Sequence, residues 1–214
     1  MTDPAPRVKR RYDAERRRAR AEQSRRTLLA VARRSFLERG YAATTMPAVA
    51  AAAGVSVETI YKTFGGKPHL VMALFHDAIA GDGQISTEDR ADRISQDETD
   101  PVARLHAFGR FVAEVMPRVG PLMLLIRTAA QSSAEASEIW AQMNAERLAR
   151  MTQHAQRLHD HGHLRTDVTV AEARDVLWLY SAPDLFDLLV QQRRWSIERY
   201  GTWIGDAYTA ALVR

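Results

Sequence analysis

Residues 53–67 read AGVSVETIYKTFGGK, and the spacing of their glycines constrains the fold more than any other feature of the chain. A run of small residues from Pro47 to Ala53 stops at Gly54. Ser56 then offers an N-cap, and Glu58 places a negative charge in the first turn of the next helix, where the dipole favours it. That helix is predicted to run to about Phe64, and Gly65-Gly66 stops it. Two helices this short are marginal alone and need partners. Gly54 permits the positive φ of a tight turn. Ala50 is small enough for the second helix to cross closely over the first, and Val49, Val55 and Ile60 join the two. The spacing predicts a helix-turn-helix. A couple of turns suffice to enter a major groove about 12 Å wide, with the N-terminal residues nearest the base edges. The alternative is a three-helix packing unit with no ligand.

The flanks continue the same punctuation. Leu29, Ala32 and Phe36 form a helical stripe, and Gly40 ends that helix after Arg39. Thr44-Thr45 offers a cap for the next helix, with Pro47 in its first turn. A further helix opens at Lys67-Pro68 and carries Leu70, Val71, Leu74 and Phe75. Charge is unevenly spread. Residues 1–26 hold ten Lys+Arg against four Asp+Glu, residues 27–75 five against two, and residues 76–214 fifteen against twenty. A basic first third points to a polyanionic partner.

Residues 81–100 are polar and acidic and are expected to be a domain junction. Downstream, every periodic segment is helical in spacing. Leu105, Phe108, Val112 and Val115 mark one amphipathic helix, and PLMLLIRTAAQ, starting at Pro121, is expected to be a separate buried one. Leu148, Met151, Ala155 and Leu158 stripe a helix over about 134–160. Residues 169–194 are expected to form another, kinked at Pro183. Ser196 caps the last, which carries Tyr200, Trp203, Ala207 and Ala211 on one face. The chain is therefore predicted to be all-α: a basic arm over 1–24, a three-helix helix-turn-helix domain over 25–80, and a larger helical bundle over 81–214.

The stretch LLAVARRSFLERGYAATTMPAVAAAAGVSVETIYKTFGGKPHLVMALF resembles the N-terminal domain of TetR-family transcriptional regulators. The resemblance covers about residues 25–78, through Ala32, Phe36, Gly40-Tyr41, Thr44-Thr45, Ala50, Ala53-Gly54-Val55-Ser56, Tyr61, Phe64, Lys67 and Leu70 in consecutive order. It implies a homodimer on palindromic double-stranded operator DNA, with a helical C-terminal domain for dimerisation and for sensing a small-molecule effector. It further implies a repressor; an activator, or a regulator controlled by a protein partner, is the alternative. By position, Thr45 caps the second helix and, with Thr44, can donate to a phosphate. Ser56, Val57, Glu58 and Thr59 open the recognition helix, and Tyr61 and Lys62 match positions that grip backbone or bases. Lys67 opens the fourth helix beside a phosphate. An acid at Glu58 would repel phosphate unless it accepts from a cytosine amino group.

Other candidates carry an ordinary reading beside the functional one. Arg10, Arg11, Arg17 and Arg18 of the arm would reach the minor groove or lie along phosphates as a longer first helix, or else belong to a solvated tail. Met116, Met123, Arg127, Trp140, Met143, Trp178 and Phe186 would line an effector pocket or be core, with Gln131 beside them. Tyr200, Trp203, Ala207 and Ala211 would pair across a dimer. His154, His159, His161 and His163 invite a metal, but cations at a helix C-terminus explain them better, and no metal site or cofactor is expected. The chain has no cysteine, no catalytic motif or secretory leader is expected in it, and its longest large-apolar run, Leu122–Ile126, is far short of the ~20 residues of a membrane span. It is expected to be a cytoplasmic protein that is not an enzyme. An RNA- or membrane-binding helical protein would leave the punctuation of residues 40–67 unexplained.

Overall fold

The computed structural model describes residues 5–81 and 100–213, with side chains described at Arg16 and from Arg20 onward. All regular structure among them is helical, and none of these helices is long and apolar enough to cross a membrane. The chain divides into two compact units, Met1–Leu74 and Phe75–Arg214.

The first unit holds α1 (Ala5–Ala43), α2 (Met46–Ala53), α3 (Val57–Phe64) and the opening of α4 (Lys67–Ala80). Helical geometry reaches back through the basic arm to Ala5, so the arm and the first core helix are one element. Gly40 interrupts α1 near its end, at φ 83° and ψ 170°. Leu28, Leu29, Ala32 and Phe36 of α1 are buried, as are Val49 and Ala50 of α2, Ile60 of α3 and Leu70 of α4, with α1 packing on α2 and α2 on α3. Thr45 caps α2 by accepting from the Ala48 amide at 3.3 Å. Gly54, at φ 67°, closes α2 in the left-handed conformation that only glycine adopts without strain, and its amide returns to the carbonyls of Ala50 and Ala51.

The second unit holds the rest of α4, then α5 (Pro101–Ala129), α6 (Ala134–Asp160), α7 (Val170–Tyr180), the single-turn α8 (Pro183–Phe186), a π-helical turn over Asp187–Gln192, and α9 (Ile197–Leu212). Two expectations fail here. The segment beginning at Pro121 is not a separate helix, because α5 continues through Pro117 and Pro121. Each proline removes one ladder bond, but Leu122, Met123 and Ile126 beyond them are fully buried, and that packing holds the helix together. Conversely, 169–194 is not one kinked helix. Ala182 is extended at φ −72° and ψ 139°, as a residue before proline prefers, and Pro183 starts a new helix instead of bending the old one. The acidic junction expected over 81–100 lies outside the described residues except at its ends.

Backbone meets backbone where α9 crosses α5. A Cβ placed on Gly109 would stand 2.6 Å from the carbonyl oxygen of Gly201 and 2.6 Å from the amide nitrogen of Gly205. Around this crossing Phe108, Val112, Tyr200, Ile204 and Tyr208 form the core. Tyr200 is therefore not on a free face: it is fully buried, with its ring edge-on to Phe186 at 5.8 Å. Trp203 is half-buried between Tyr180 and Trp195, while Ala207 and Ala211 are partly exposed. Leu148, expected inside its stripe, is exposed; Met151, Ala155 and Leu158 are buried.

Candidate nucleic-acid interface and apolar cavity

Short α3 is held by one inward side chain and two caps. Ile60 is fully buried, Ser56 accepts from the Thr59 amide at 3.1 Å, and Gly65 closes the helix at φ 84°. With its C-terminus stopped and its apolar residue spent, α3 turns its remaining side chains outward. Glu58, Thr59, Lys62 and Thr63 are exposed, Val57 is half-buried, and Tyr61 is 52% exposed, unusual for a large aromatic in a packed unit. The Ser56 and Thr59 hydroxyls lie 2.9 Å apart and hold each other in place at the exposed start of the helix. This surface therefore presents hydroxyls, an aromatic ring, one acid and one cation on a rigid support. Hydroxyls and a phenol can donate to phosphates or base edges, and the lysine supplies charge.

Thr44 does not belong to it. Its side chain is 1% exposed, and its hydroxyl donates to the carbonyls of Gly40 at 2.8 Å and Ser35 at 3.1 Å. The hydroxyl ties the end of α1 to the α2 turn and is not available to a phosphate; of the threonine pair only Thr45 is exposed. Lys67 opens α4, half-buried, with its ammonium 4.1 Å from the centre of the Tyr41 ring. In α1, Arg16 and Arg20 are exposed, Arg25 lies over the Phe64 ring, and Arg26 pairs with Glu22 at 3.1 Å. The side chains of Arg10, Arg11, Arg17 and Arg18 lie outside the described residues.

The second unit contains an open-sided cavity of about 130 Å³. Its walls are Phe75 and Ile79 of α4, a stripe of α5 that includes Val115, Met116 and Met123, and Met151 of α6. Its polar lining is His76, Glu146, Arg147, Arg150 and Ser181. Of the seven expected ligand residues, Met116 and Met123 line it. Arg127 is instead paired with Asp184, Met143 is fully buried in the core, and Phe186 packs on Tyr200. Trp178 lies under the Arg147 guanidinium, and half-buried Trp140 is likewise outside the lining. Gln131 is exposed in the turn after α5. In the sequence Phe75 and Phe108 stand out only as parts of helical stripes, and His76, Arg147 and Arg150 do not stand out. Glu146, Arg147 and Arg150 do form a charged cluster on α6, but surface helices carry such clusters too. At the end of α6 the His161 and His163 rings stack at 5.6 Å, and His161 Nδ1 lies 2.6 Å from the Arg157 carbonyl oxygen at the helix C-terminus. Among the described residues no cluster of His, Asp and Glu suits a metal.

Residues 28–74 match the family model described as bacterial regulatory proteins, tetR family. No curated protein sequence matches the chain. Solved structures share the whole fold. NalD of Pseudomonas aeruginosa, the secondary repressor of the MexAB-OprM multidrug efflux pump, superposes with a TM-score of 0.69 at 20% identity, over 92% of this chain and 98% of that one. The transcriptional regulator FadR of Bacillus subtilis, in complex with stearoyl-CoA, gives 0.65 at 15% identity, over 85% and 96%. GusR of Salmonella enterica gives 0.61 at 19% identity, over 89% and 95%.

Proposed function

From the premise that this chain is a TetR-family DNA-binding transcriptional regulator, we propose that it is a homodimeric repressor, released from a palindromic operator when a small molecule fills the cavity of its second unit. The observation that carries the DNA side is the outward face of α3, where Thr59, Tyr61 and Lys62 stand exposed on a helix anchored by Ile60. The effector side is supported by the cavity, whose mostly apolar lining with a few polar groups resembles that of small-molecule sites. By sequence, α4 opens in the first unit and closes in the second, where it supplies Phe75, His76 and Ile79 to the cavity lining. An effector that prefers one disposition of α4 biases which state is populated by as much as its affinities for the two states differ. Dimerisation is supported by Leu179, Leu188 and Ile197, which are 53%, 48% and 40% exposed on the last helical elements.

Genome-wide footprinting finds the operator, and titration with that duplex measures binding. Tyr61→Ala and Lys62→Ala are expected to weaken operator binding at least tenfold, with melting temperatures unchanged. Melting that drops as for a core variant, or binding that holds in both variants, defeats the assignment of this face. Sedimentation at micromolar protein is expected to show a dimer that Leu179→Glu weakens; a wild-type monomer defeats that part.

A further inference from the structure

Arg147 lines the cavity, and its hydrogen-bond partners are all neutral. Its Nη1 donates to the Trp178 carbonyl at 2.6 Å and to the Ser181 hydroxyl at 3.1 Å, and its Nη2 donates to Asn144 Oδ1 at 3.3 Å. The guanidinium carbon sits 4.3 Å from the centre of the Trp178 ring. Among the described residues Arg147 makes no ion pair, and its buried Nε–H has no hydrogen-bond partner. Asp184, whose charge supports that of Arg147, is paired with Arg127. The lining's carboxylate, Glu146, is engaged by His76 Nε2 at 2.8 Å and Gln142 Nε2 at 3.1 Å. Burial pushes the Arg147 pKa down to about 10, which leaves it charged at neutral pH. A largely desolvated cation without an ion-pair partner is costly, and an anionic ligand in the cavity would supply one.

The apolar wall beside it is long. Phe108, Val112, Val115, Met116, Val119 and Met123 lie on one stripe of α5. At about 1.5 Å per residue that stripe covers roughly 22 Å of helix axis. The apolar wall and the polar groups belong to one lining.

We propose that the cavity takes an elongated apolar molecule bearing a single carboxylate, which pairs with Arg147. This rests on the effector reading of the cavity and names its ligand class. Arg150 adds a second positive charge to the lining, while Glu146 disfavours a second negative charge on the ligand.

The test titrates the full-length chain with dodecanoate, 1-dodecanol and dodecylamine, each below its aggregation threshold, by calorimetry and thermal shift. Dodecanoate is expected to bind at least tenfold tighter than dodecanol, equivalent to about 1.4 kcal/mol, and dodecylamine to bind weakest. Arg147→Gln is expected to erase the preference for dodecanoate, and Arg147→Lys to keep part of it. Should Arg147→Gln fail to fold, the three-ligand comparison on the wild-type chain decides alone. Equal binding of alcohol and carboxylate, tighter binding of the amine, or no binding of any of the three overturns the proposal. Operator release by dodecanol at equal affinity would leave the effector reading standing without this ligand class. A carboxylate preference without operator release would leave the ligand class standing without the effector reading.

Discussion

Gly109→Ala sets two known effects against each other. In an exposed helix the change stabilises by up to ~1 kcal/mol, because alanine loses less entropy than glycine. At this site the new methyl would lie 2.6 Å from the Gly201 carbonyl oxygen, 2.6 Å from the Gly205 amide nitrogen and 3.0 Å from the Gly205 Cα. All three are backbone atoms of α9, so no rotamer change relieves the contact. The helices must separate by several tenths of an ångström, and the side chains packed around the crossing, among them Phe108, Ile204 and Tyr208, must follow. Overpacking of this kind costs about 1–3 kcal/mol or more, so the clash outweighs the propensity. A net loss of about 2 kcal/mol is expected, near the upper part of that range less the propensity gain. In a chain of this size that lowers the melting temperature by roughly 4–8 °C. Gly120→Ala is the matched control in the same helix. Its Cβ would meet Phe186 Cδ1 at 3.4 Å, an ordinary contact, but Gly120 precedes Pro121, whose ring disfavours a helical residue with a Cβ, so the propensity gain is largely cancelled and melting should change little. Calorimetric melts of both variants decide. A Gly109→Ala protein as stable as Gly120→Ala would refute the close crossing of α5 and α9.

Thr44→Val is expected to cost about 1–2 kcal/mol by leaving the part-buried Ser35 and Gly40 carbonyls short of a donor, while Thr45→Ala costs about 1 kcal/mol through loss of the α2 cap; denaturant titration that ranks them the other way contradicts the burial of Thr44. Deleting residues 1–21 should reduce the magnitude of the log–log salt slope of duplex binding by about four to five per dimer, taking two or three phosphate contacts per subunit at roughly 0.9 each; an unchanged slope would make the arm a solvated tail. His163 has its pKa pushed below 6.5, first by burial and then by Arg104 and His161. The unfolded chain therefore takes up the proton first, so stability is constant above pH 6.5 and falls as pH drops from there to the depressed folded value. Melts between pH 5 and 7.5 should show that loss, and His163→Gln should flatten it; parallel curves for the two proteins would refute it.

Where an element starts or stops through bonds within a few residues, the sequence alone was enough. Thr45 and Ser56 cap the helices that follow them, Ser196 accepts from the Arg199 amide, and Gly54 and Gly65 take the left-handed conformation, all as their positions imply. The buried stripe of Leu29, Ala32 and Phe36 was equally legible, because one helix repeats its own face. What needed the tertiary structure depends on a partner distant in the chain. Pro121 reads as a breaker until packing holds α5 through it, and Pro183 reads as a kink until Ala182 is seen extended. Tyr200 and Trp203 share a helix face in sequence, yet Tyr200 lies in the core beside Phe186 and Trp203 only half so. Thr44 and Thr45 are neighbours of one type, and only the fold turns one hydroxyl inward and the other outward. The cavity was the least legible of all. Its lining comes from α4, α5, α6 and Ser181 after α7, and an apolar side chain facing a void follows the same periodicity as one facing another side chain. Periodicity reports which way a residue points along its own helix; what stands opposite is decided by chain segments tens of residues away, and only their packing settles it.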